Sequence, residues 1–508
     1  MAKYPMPDVV VLLPGITGSV LRKRGKVVWG YSAKTVARAL FTLGDSMERD
    51  LALPYDDPAA DALDDGIVAD ALMPDLHLLP GVWKIDGYGK VAAAIEAAFT
   101  VAEGRNFFRF PYDWRRDNRV AARQLARAAH GWLKAWRESS GNPVARLILV
   151  AHSMGGLVSR YFLECLEGWK LTRALVSFGT PYRGSLNALD GLANGLKKGP
   201  LDLSALARQL TSLYQLLPVF ECYDGGDGAL VRVGETAGIP NVDPAKAAAA
   251  LAFHREIEAA VAANQRLPDY HTDGYRIYPV VGIAQQTRLS ARLAGDRVDL
   301  LDTWKGRALG GDGTVPRVSA VPLELSDAPA SAMYASTQHC SLQNADAVIT
   351  HLTGVLSGLD LGLGAFRVPR AQVALEVEDV YLADEPLRVR ARPSREGVEL
   401  GATLWRSGLP RPVDGMPMRP VGGDWLGAEF ATPAAGAYRV TVGGAGVETA
   451  EDALVVAGLG RARGAALSHA IALGADRVPD GEAYEMLGLD HGPMRGGSAA
   501  ARAGAGDR

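Results

Sequence analysis

The chain has 508 residues, enough for two or three domains, and its 48% hydrophobic and 22% charged residues are globular values. A formal net charge of -3 gives no sign of a nucleic-acid partner. Three cysteines, Cys165, Cys222 and Cys340, with no C-x-x-C pair, argue against a disulfide scaffold and a zinc site, so neither metal nor cofactor is expected. The stretch Met1 to Asp8 has no basic-then-apolar signal, and the apolar run Val9–Leu13 is too short to cross a bilayer. The expectation is a soluble cytoplasmic protein that meets membranes only peripherally.

In chain order, Val9–Leu13 is β-rich and apolar and predicts a buried strand. It runs into Pro14-Gly15-Ile16-Thr17-Gly18-Ser19, a glycine-rich turn. From Val27 to Ile85 the pattern weakens. A helix is expected over Ala33–Leu43, and Asp56, Asp57, Asp61, Asp64 and Asp65 are expected as a solvated acidic surface. Lys90–Phe99 predicts a helix. Asn106–Phe110 predicts a short strand ending in Pro111-Tyr112-Asp113-Trp114-Arg115-Arg116-Asp117. Arg119–Arg137 has Val120, Leu125, Ala128, Trp132 and Trp136 near helical spacing. Alternating apolar strands and helices imply βαβ units and a mostly parallel sheet, an α/β fold.

The next stretch organises the chain. Four apolar residues, Leu147–Val150, predict a strand buried on both faces. Ala151-His152-Ser153-Met154-Gly155-Gly156 then gives a tight turn of small residues around a serine, and a helix-like run begins at Leu157. Strand, sharp turn, serine and helix make a nucleophile elbow, with Ala151 at the position where glycine is usual. If the elbow is real, the N–H groups of Met154 and of Ile16 form the oxyanion hole, with Thr17 next in line.

Ala174–Phe178 predicts the next strand, ending at Gly179-Thr180-Pro181. No sheet signal follows until Arg276–Val281. The intervening segment, about 185–274, reads as a helical cap with helices at Leu201–Leu217 and Ala245–Gln265. Its apolar cluster, including Leu213, Leu216, Leu217 and Phe220, is expected to contact substrate and to gate the side of the sheet where the serine emerges. Asp224–Gly228 is read as a polar turn rather than a calcium loop.

Gly310–Pro316 places Asp312 in a tight loop. Met333–Ser336 predicts a strand, His339 follows it, and a helix is expected over Asn344–Leu356. Ser153, Asp312 and His339 fall in the order Ser…Asp…His used by α/β hydrolases. The chemistry needs that set: the imidazole takes the hydroxyl proton and the carboxylate fixes the tautomer. His152, His254, His271 and His351 are rivals. His152, just before the serine, is expected to point elsewhere. Cys340 is read as a small core residue.

Leu13-Pro14-Gly15, Tyr112-Asp113-Trp114-Arg115, Ala151–Gly156, Gly179-Thr180-Pro181, Gly311-Asp312-Gly313-Thr314-Val315-Pro316 and His339 together resemble the lecithin:cholesterol acyltransferase-like family of α/β hydrolases. The resemblance covers roughly Asp8 to Leu356 as scattered motifs. It implies acyl transfer from a lipid ester, often a phospholipid, through a serine acyl-enzyme, with water or an alcohol as acceptor. By match of motif, Ser153 is the nucleophile, Asp312 the orienting acid and His339 the base. Thr17, Tyr112, Trp114, Leu216 and Leu217 are the expected substrate contacts. For the Tyr112–Arg116 motif two readings stand: a wall beside the site with a structural ion pair at Arg115 or Asp113, or a headgroup contact.

The expected domains are a hydrolase over 1–366, a β-sandwich resembling an immunoglobulin fold over 370–457, and an Ala/Gly/Arg-rich, partly disordered tail over 458–508. The sandwich rests on short alternating segments, Val373–Val377, Leu387–Ala391, Ala402–Trp405, Tyr438–Val442 and Ala453–Val456. It carries no catalytic set and is read as an accessory module for a protein partner. Because the triad precedes Gly364, the hydrolase part is expected to react without it. Two other functions remain open: a carboxylesterase for small soluble esters, and a catalytically silent lipid-binding protein on the same fold.

Overall fold

The structure, a computed structural model, describes residues 3–30, 45–74, 86–198, 201–326, 332–358 and 372–457, apart from 384, 395–396, 432, 445–446 and 448. The helix expected over Ala33–Leu43, the hydrolase boundary near Gly364 and the tail from Gly458 lie outside the described residues.

A six-stranded sheet forms the centre. Its strands run in the order Met333–Ala335, Arg276–Gly282, Thr172–Phe178, Leu147–His152, Val9–Leu13, Phe107–Arg109, and every neighbouring pair is parallel. Strand side chains alternate between faces. Val9, Val11 and Leu13 therefore pack with Leu147, Leu149 and Ala151 on one face, against the helices Asn118–Ser140 and Met154–Cys165. Val10, Leu12, Ile148 and Val150 pack on the other face, against Gly89–Ala98 and Asp346–Leu356. With both faces covered, the central strands must be apolar throughout, as Leu147–Val150 is. This is the α/β-hydrolase architecture the sequence implies.

Between the first two strands of the sheet lies an antiparallel sheet that the sequence reading did not see: Ser19–Lys23, Lys26–Trp29 and Ile67–Leu72. Its hairpin turns at Arg24 and Gly25, both at positive φ, 50° and 82°. That is the twist a two-residue hairpin needs, here without the Asn-Gly or Asp-Gly pair that usually announces it.

The cap differs from expectation in two ways. In place of one helix over Leu201–Leu217 there is a strand segment, Leu201–Asp202, and two short helices, Ser204–Ala207 and Thr211–Tyr214. Asp202 accepts the N–H of Ser204 at 3.0 Å and its hydroxyl at 2.5 Å, and this local bonding competes with a continuous helix. The second helix forms as expected, over Pro244–Asn264. Pro244 opens it, and Asp243 caps it by accepting the N–H groups of Ala245 and Lys246 at 2.9 and 3.1 Å. The cap also extends beyond 185–274. Tyr223–Asp224 and Leu230–Val231 join Ser290–Ala294 and Arg297–Leu301 in one four-stranded sheet, so chain on both sides of Arg276–Gly282 contributes.

After residue 371 the chain forms two further sheets, of four and five strands. Gly436–Gly443 alternates buried and half-buried residues along its whole length, and Leu387–Pro393 alternates buried and exposed residues over 387–392. Their inward residues, Leu387, Val389, Tyr438, Val440 and Val442, share one core with Val373 and Leu375, the pattern of a sandwich.

Candidate active site

Ser153 sits between the strand Leu147–His152 and the helix Met154–Cys165, which starts directly after it, three residues earlier than the sequence suggested. Its backbone is at φ 50°, ψ −123°, a strained conformation for a residue with a side chain. The N–H of Ser153 is held by the carbonyl of Phe178 at 2.9 Å. The turn tolerates only small neighbours: a Cβ at Gly156 would stand 2.0 Å from Thr180 Oγ1.

His339 begins a 3-10 turn, His339–Asn344, after the last strand of the sheet. Its Nε2 lies 2.8 Å from Ser153 Oγ and its Nδ1 lies 2.7 Å from Asp312 Oδ2. Asp312 Oδ1 accepts the N–H groups of Thr314 and Val315 at 2.9 and 2.6 Å, and its carbonyl accepts the N–H of His339 at 2.8 Å. The carboxylate is thereby fixed by its own loop and can accept from the imidazole with its second oxygen. Gly179, at φ 53°, passes so near that a Cβ would stand 2.8 Å from Asp312 Oδ2 and 2.9 Å from His339 Nδ1. A hydroxyl, an imidazole aligned on it and a buried carboxylate behind the imidazole form a set able to move a proton off the hydroxyl and back. Ser153 is 5% exposed, so a bulky ester reaches it only if the surroundings move.

The loop after Val9–Leu13 lies against the serine. A Cβ at Gly15 would be 2.8 Å from Ser153 Cβ. Gly15 N–H donates to Tyr88 Oη at 2.8 Å, and Gly18 N–H to the carbonyl of Gly15 at 3.1 Å. Ile16 stands between them, half-buried, and Thr17 follows at φ 63°. Met154 opens the helix after the serine, within the first turn, whose amides lack intrahelical acceptors.

Two residues near this loop were not assigned a role from the sequence. Tyr88 Oη lies 3.0 Å from His152 Nδ1, and His152 Nε2 lies 3.0 Å from the carbonyl of His339. A carbonyl only accepts, so Nε2 carries the proton and Nδ1 accepts from Tyr88. One directed chain thus runs from Gly15 N–H through Tyr88 and His152 to His339. Burial pushes the His152 imidazole down to about 3, helped by the neighbouring His339, so it stays neutral. Burial pushes the Tyr88 phenol upward, so it stays protonated. The only signal in the sequence was position, His152 before the serine and Tyr88 before a helix, and neither position reveals a partner 64 residues away.

The expected substrate contacts fall elsewhere. Tyr112 is buried and donates from Oη to the carbonyl of Pro14 at 2.8 Å, and Trp114 is buried and donates from Nε1 to the carbonyl of Ser19 at 3.1 Å. Trp114 also meets Trp29 edge to face at 5.0 Å. Thr17 is fully buried, with its hydroxyl on the carbonyl of Ile16. These three support the loop from below. Leu216 and Leu217 are buried in the core they share with the central sheet, so in this conformation they are packing residues.

The Tyr-Asp-Trp-Arg motif has its structural reading. Arg115, with no exposed side-chain surface, pairs with Asp113 at 2.6 Å and Asp65 at 2.7 Å and donates to the carbonyls of Leu51 and Ala52. Arg116 pairs with Asp56 at 3.0 Å, both nearly buried. The acidic stretch is solvated surface only in part: Asp61 and Asp64 are exposed, whereas Asp56 and Asp65 are the partners of Arg116 and Arg115. Among the rivals, His254 is buried in the cap, within 2.8 Å of the carbonyl of Gln215, and His271 is exposed. The Asp224 loop is a turn, its carboxylate accepting the N–H groups of Gly226 and Gly228. No group of three or more acidic, His or Cys side chains able to hold a metal occurs among the described residues.

A cavity of about 210 Å³ lies between the elbow helix and the cap helix, lined by Leu157, Arg160, Tyr182, Arg183, His254 and Ile257 among others. None of Ser153, Asp312 and His339 lines it.

Residues 84–239 match the lecithin:cholesterol acyltransferase family. This stretch of the hydrolase domain is similar to that family. The matched stretch holds Tyr112–Arg116 and the elbow at Ser153 and ends before Asp312 and His339. The human lysosomal phospholipase A and acyltransferase is 35% identical over 116 residues, 21% of this chain and 27% of that protein. The rat protein of the same name is 34% identical over the same shares. The alignment thus spans about a quarter of the length of these relatives. Among solved structures, a chain of the Tle4-Tli4 complex superposes with a TM-score of 0.46 at 16% identity, over 71% of this chain and 100% of that chain.

Proposed function

We propose that the protein is a serine-dependent lipid acyl-ester hydrolase or O-acyltransferase. The observation that carries the reading is the hydrogen-bonded line from Ser153 Oγ through His339 to Asp312. In this reading His339 Nε2 takes the proton of Ser153 as Oγ attacks the ester carbonyl, and Asp312 steadies the imidazolium. The N–H groups of Met154 and Ile16 receive the oxyanion of the tetrahedral intermediate. His339 returns the proton to the departing alcohol, leaving an acyl group on Ser153. Water or an alcohol, deprotonated by His339, then takes the acyl group and frees the serine. A lipid ester is the substrate class that fits lysosomal phospholipase A and acyltransferase relatives and a serine that is buried in this conformation. The cap would open where the protein meets a membrane surface, by favouring the open form there. A cytoplasmic setting is part of the same proposal, supported by Cys165, Cys222 and Cys340, all present as free thiols.

The test uses a fluorophosphonate probe and a series of esters from short soluble chains to phospholipid vesicles. Ser153→Ala is expected to abolish labelling and to lower turnover by a factor on the order of 10⁴–10⁶ with the fold intact. Labelling that persists in this variant would rule out Ser153 as the nucleophile. Turnover confined to short soluble esters would favour a carboxylesterase over a lipid enzyme.

A further inference from the structure

The C-terminal sandwich holds no reactive set among its described residues, yet its strands bond to Gln338, Gln285 and Asp86 of the hydrolase domain, and each of these adjoins or is bonded to a loop that carries Asp312 or His339. Gln338, the residue before His339, donates from Nε2 to the carbonyl of Leu375 at 2.9 Å. Gln285 grips the same strand, Val373–Val377, at two points: its Nε2 donates to the carbonyl of Val373 and its Oε1 accepts the N–H of Leu375, both at 2.9 Å. Gln285 is buried, so this side-chain amide stands where a neighbouring strand would otherwise pair.

Gln285 also fixes the acid loop. Its N–H donates to the carbonyl of Gly311 at 3.1 Å. Its carbonyl accepts the hydroxyl of Thr287 at 3.0 Å, and that hydroxyl accepts the N–H of Gly313 at 2.9 Å. Gly311 and Gly313 flank Asp312. One strand of the sandwich is therefore bonded to the residue before His339 and, through Gln285, is linked to both residues that flank Asp312.

A second tie comes from the middle of the sandwich. Arg439 Nη2 lies 2.6 Å from Asp86 Oδ2, and the Asp86 side chain has no exposed surface. The backbone of Asp86 is bonded to the turn that begins at His339: its N–H donates to the carbonyl of Cys340 at 3.1 Å, and its carbonyl accepts from Asn344 Nδ2. Arg439 also reaches Glu451 at 3.3 Å, which anchors the guanidinium within its own sheet. Charge-assisted bonds of this kind hold geometry more strictly than neutral ones.

We propose that the sandwich is a positioning element for the reaction: Leu375 through Gln338, and Arg439 through Asp86, hold His339 in line with Ser153. The proposal rests on the Ser153–His339–Asp312 reading above. Small displacements of reacting groups cost rate steeply, so a loosened His339 loop lowers turnover without touching the surfaces that bind substrate.

The experiment uses the full chain, a short-chain soluble ester and the fluorophosphonate probe. Gln338→Ala is expected to lower kcat on the order of 10- to 100-fold with KM nearly unchanged, and to slow labelling of Ser153 by the same factor. Arg439→Met is expected to do the same and Arg439→Lys to recover much of the loss, because the lysine keeps the charge facing Asp86. Removing the arginine can unfold the chain, so Gln338→Ala, at a half-buried position, decides. Wild-type kcat and labelling in a folded Gln338→Ala protein overturn the proposal, as does a loss that resides in KM. Ser153→Ala runs alongside: turnover that survives there defeats the triad reading itself, whereas its loss there together with a silent Gln338→Ala defeats only the positioning role.

Discussion

At the scale of single residues, the site depends on groups kept in one protonation state by burial. His152 is the plainest case. Its imidazole is neutral in the folded chain, with a value of about 3, and an unfolded histidine titrates near 6.5. The sign follows from proton counts. Above 6.5 neither state binds the proton, and the contribution to stability is fully present. As pH falls from 6.5 toward 3 only the unfolded chain binds it, and stability is lost by about 1.4 kcal/mol per pH unit for this residue. Burial lowers His254 in the same direction. His152→Gln is therefore expected to flatten the decline between pH 6.5 and 3 without abolishing it, read by urea unfolding at a series of pH values. Parallel wild-type and variant curves would mean that His152 takes up its proton as readily in the folded chain as in the unfolded one.

At the scale of elements, the site depends on the loop from Pro14 to Ser19 and on what lies beneath it. Tyr112 and Trp114 each donate to a carbonyl of that loop, and Arg115 ties the base of the motif to Asp65 and to the backbone at Leu51 and Ala52. Removing a buried cation leaves Asp113 facing Asp65 and two carbonyls without their donor. Arg115→Met is expected to cost roughly 3–5 kcal/mol. Thermal or denaturant unfolding measures it, and a loss below about 1 kcal/mol would mean that the pairs are as weak as exposed ones. Sequence alone could name the ion pair but not its second partner. Asp65 lies 50 residues away in an acidic run that, by composition, looks like solvated surface.

At the scale of the whole molecule, two bodies with separate cores are joined by buried polar contacts. The pair Arg439–Asp86 crosses between them with 15% and 0% of its side-chain surfaces exposed. Removing the Arg439 guanidinium while the domains stay packed would strand the buried Asp86 carboxylate, a cost of roughly 3–5 kcal/mol. Calorimetry of the full chain is expected to give one cooperative transition, and Arg439→Met to split it into two or lower the whole. Two well-separated transitions in the wild-type chain would show that the contacts do not couple the domains.

Much was legible in the residues. Runs such as Val9–Leu13 and Leu147–Val150 can be satisfied only between two layers of helices, so the α/β sheet followed from composition and period. The elbow was legible because its sterics admit few residue types: glycine at 155 and 156 is forced by the carbonyl of Pro14 and by Thr180. Asp312 and His339 were named by order and motif, and the structure brings both to Ser153. The alternating strands after residue 371 announced a sandwich for the same reason of period.

What the sequence could not supply were partners distant along the chain. Period and composition describe how a segment meets a surface; they do not say which surface. Leu216 and Leu217 read as an apolar cluster at the mouth of the site, and only packing placed them in the common core. The sandwich, lying after the triad, read as dispensable to it. Hydrogen bonds from Gln338 to Leu375 and from Gln285 to Val373 and Leu375 leave no periodic trace, because a single polar side chain gives its directed bond to whichever backbone the fold brings within 3 Å. The local alphabet determined the elements and named the candidate site residues; tertiary structure alone decided what holds those residues in line.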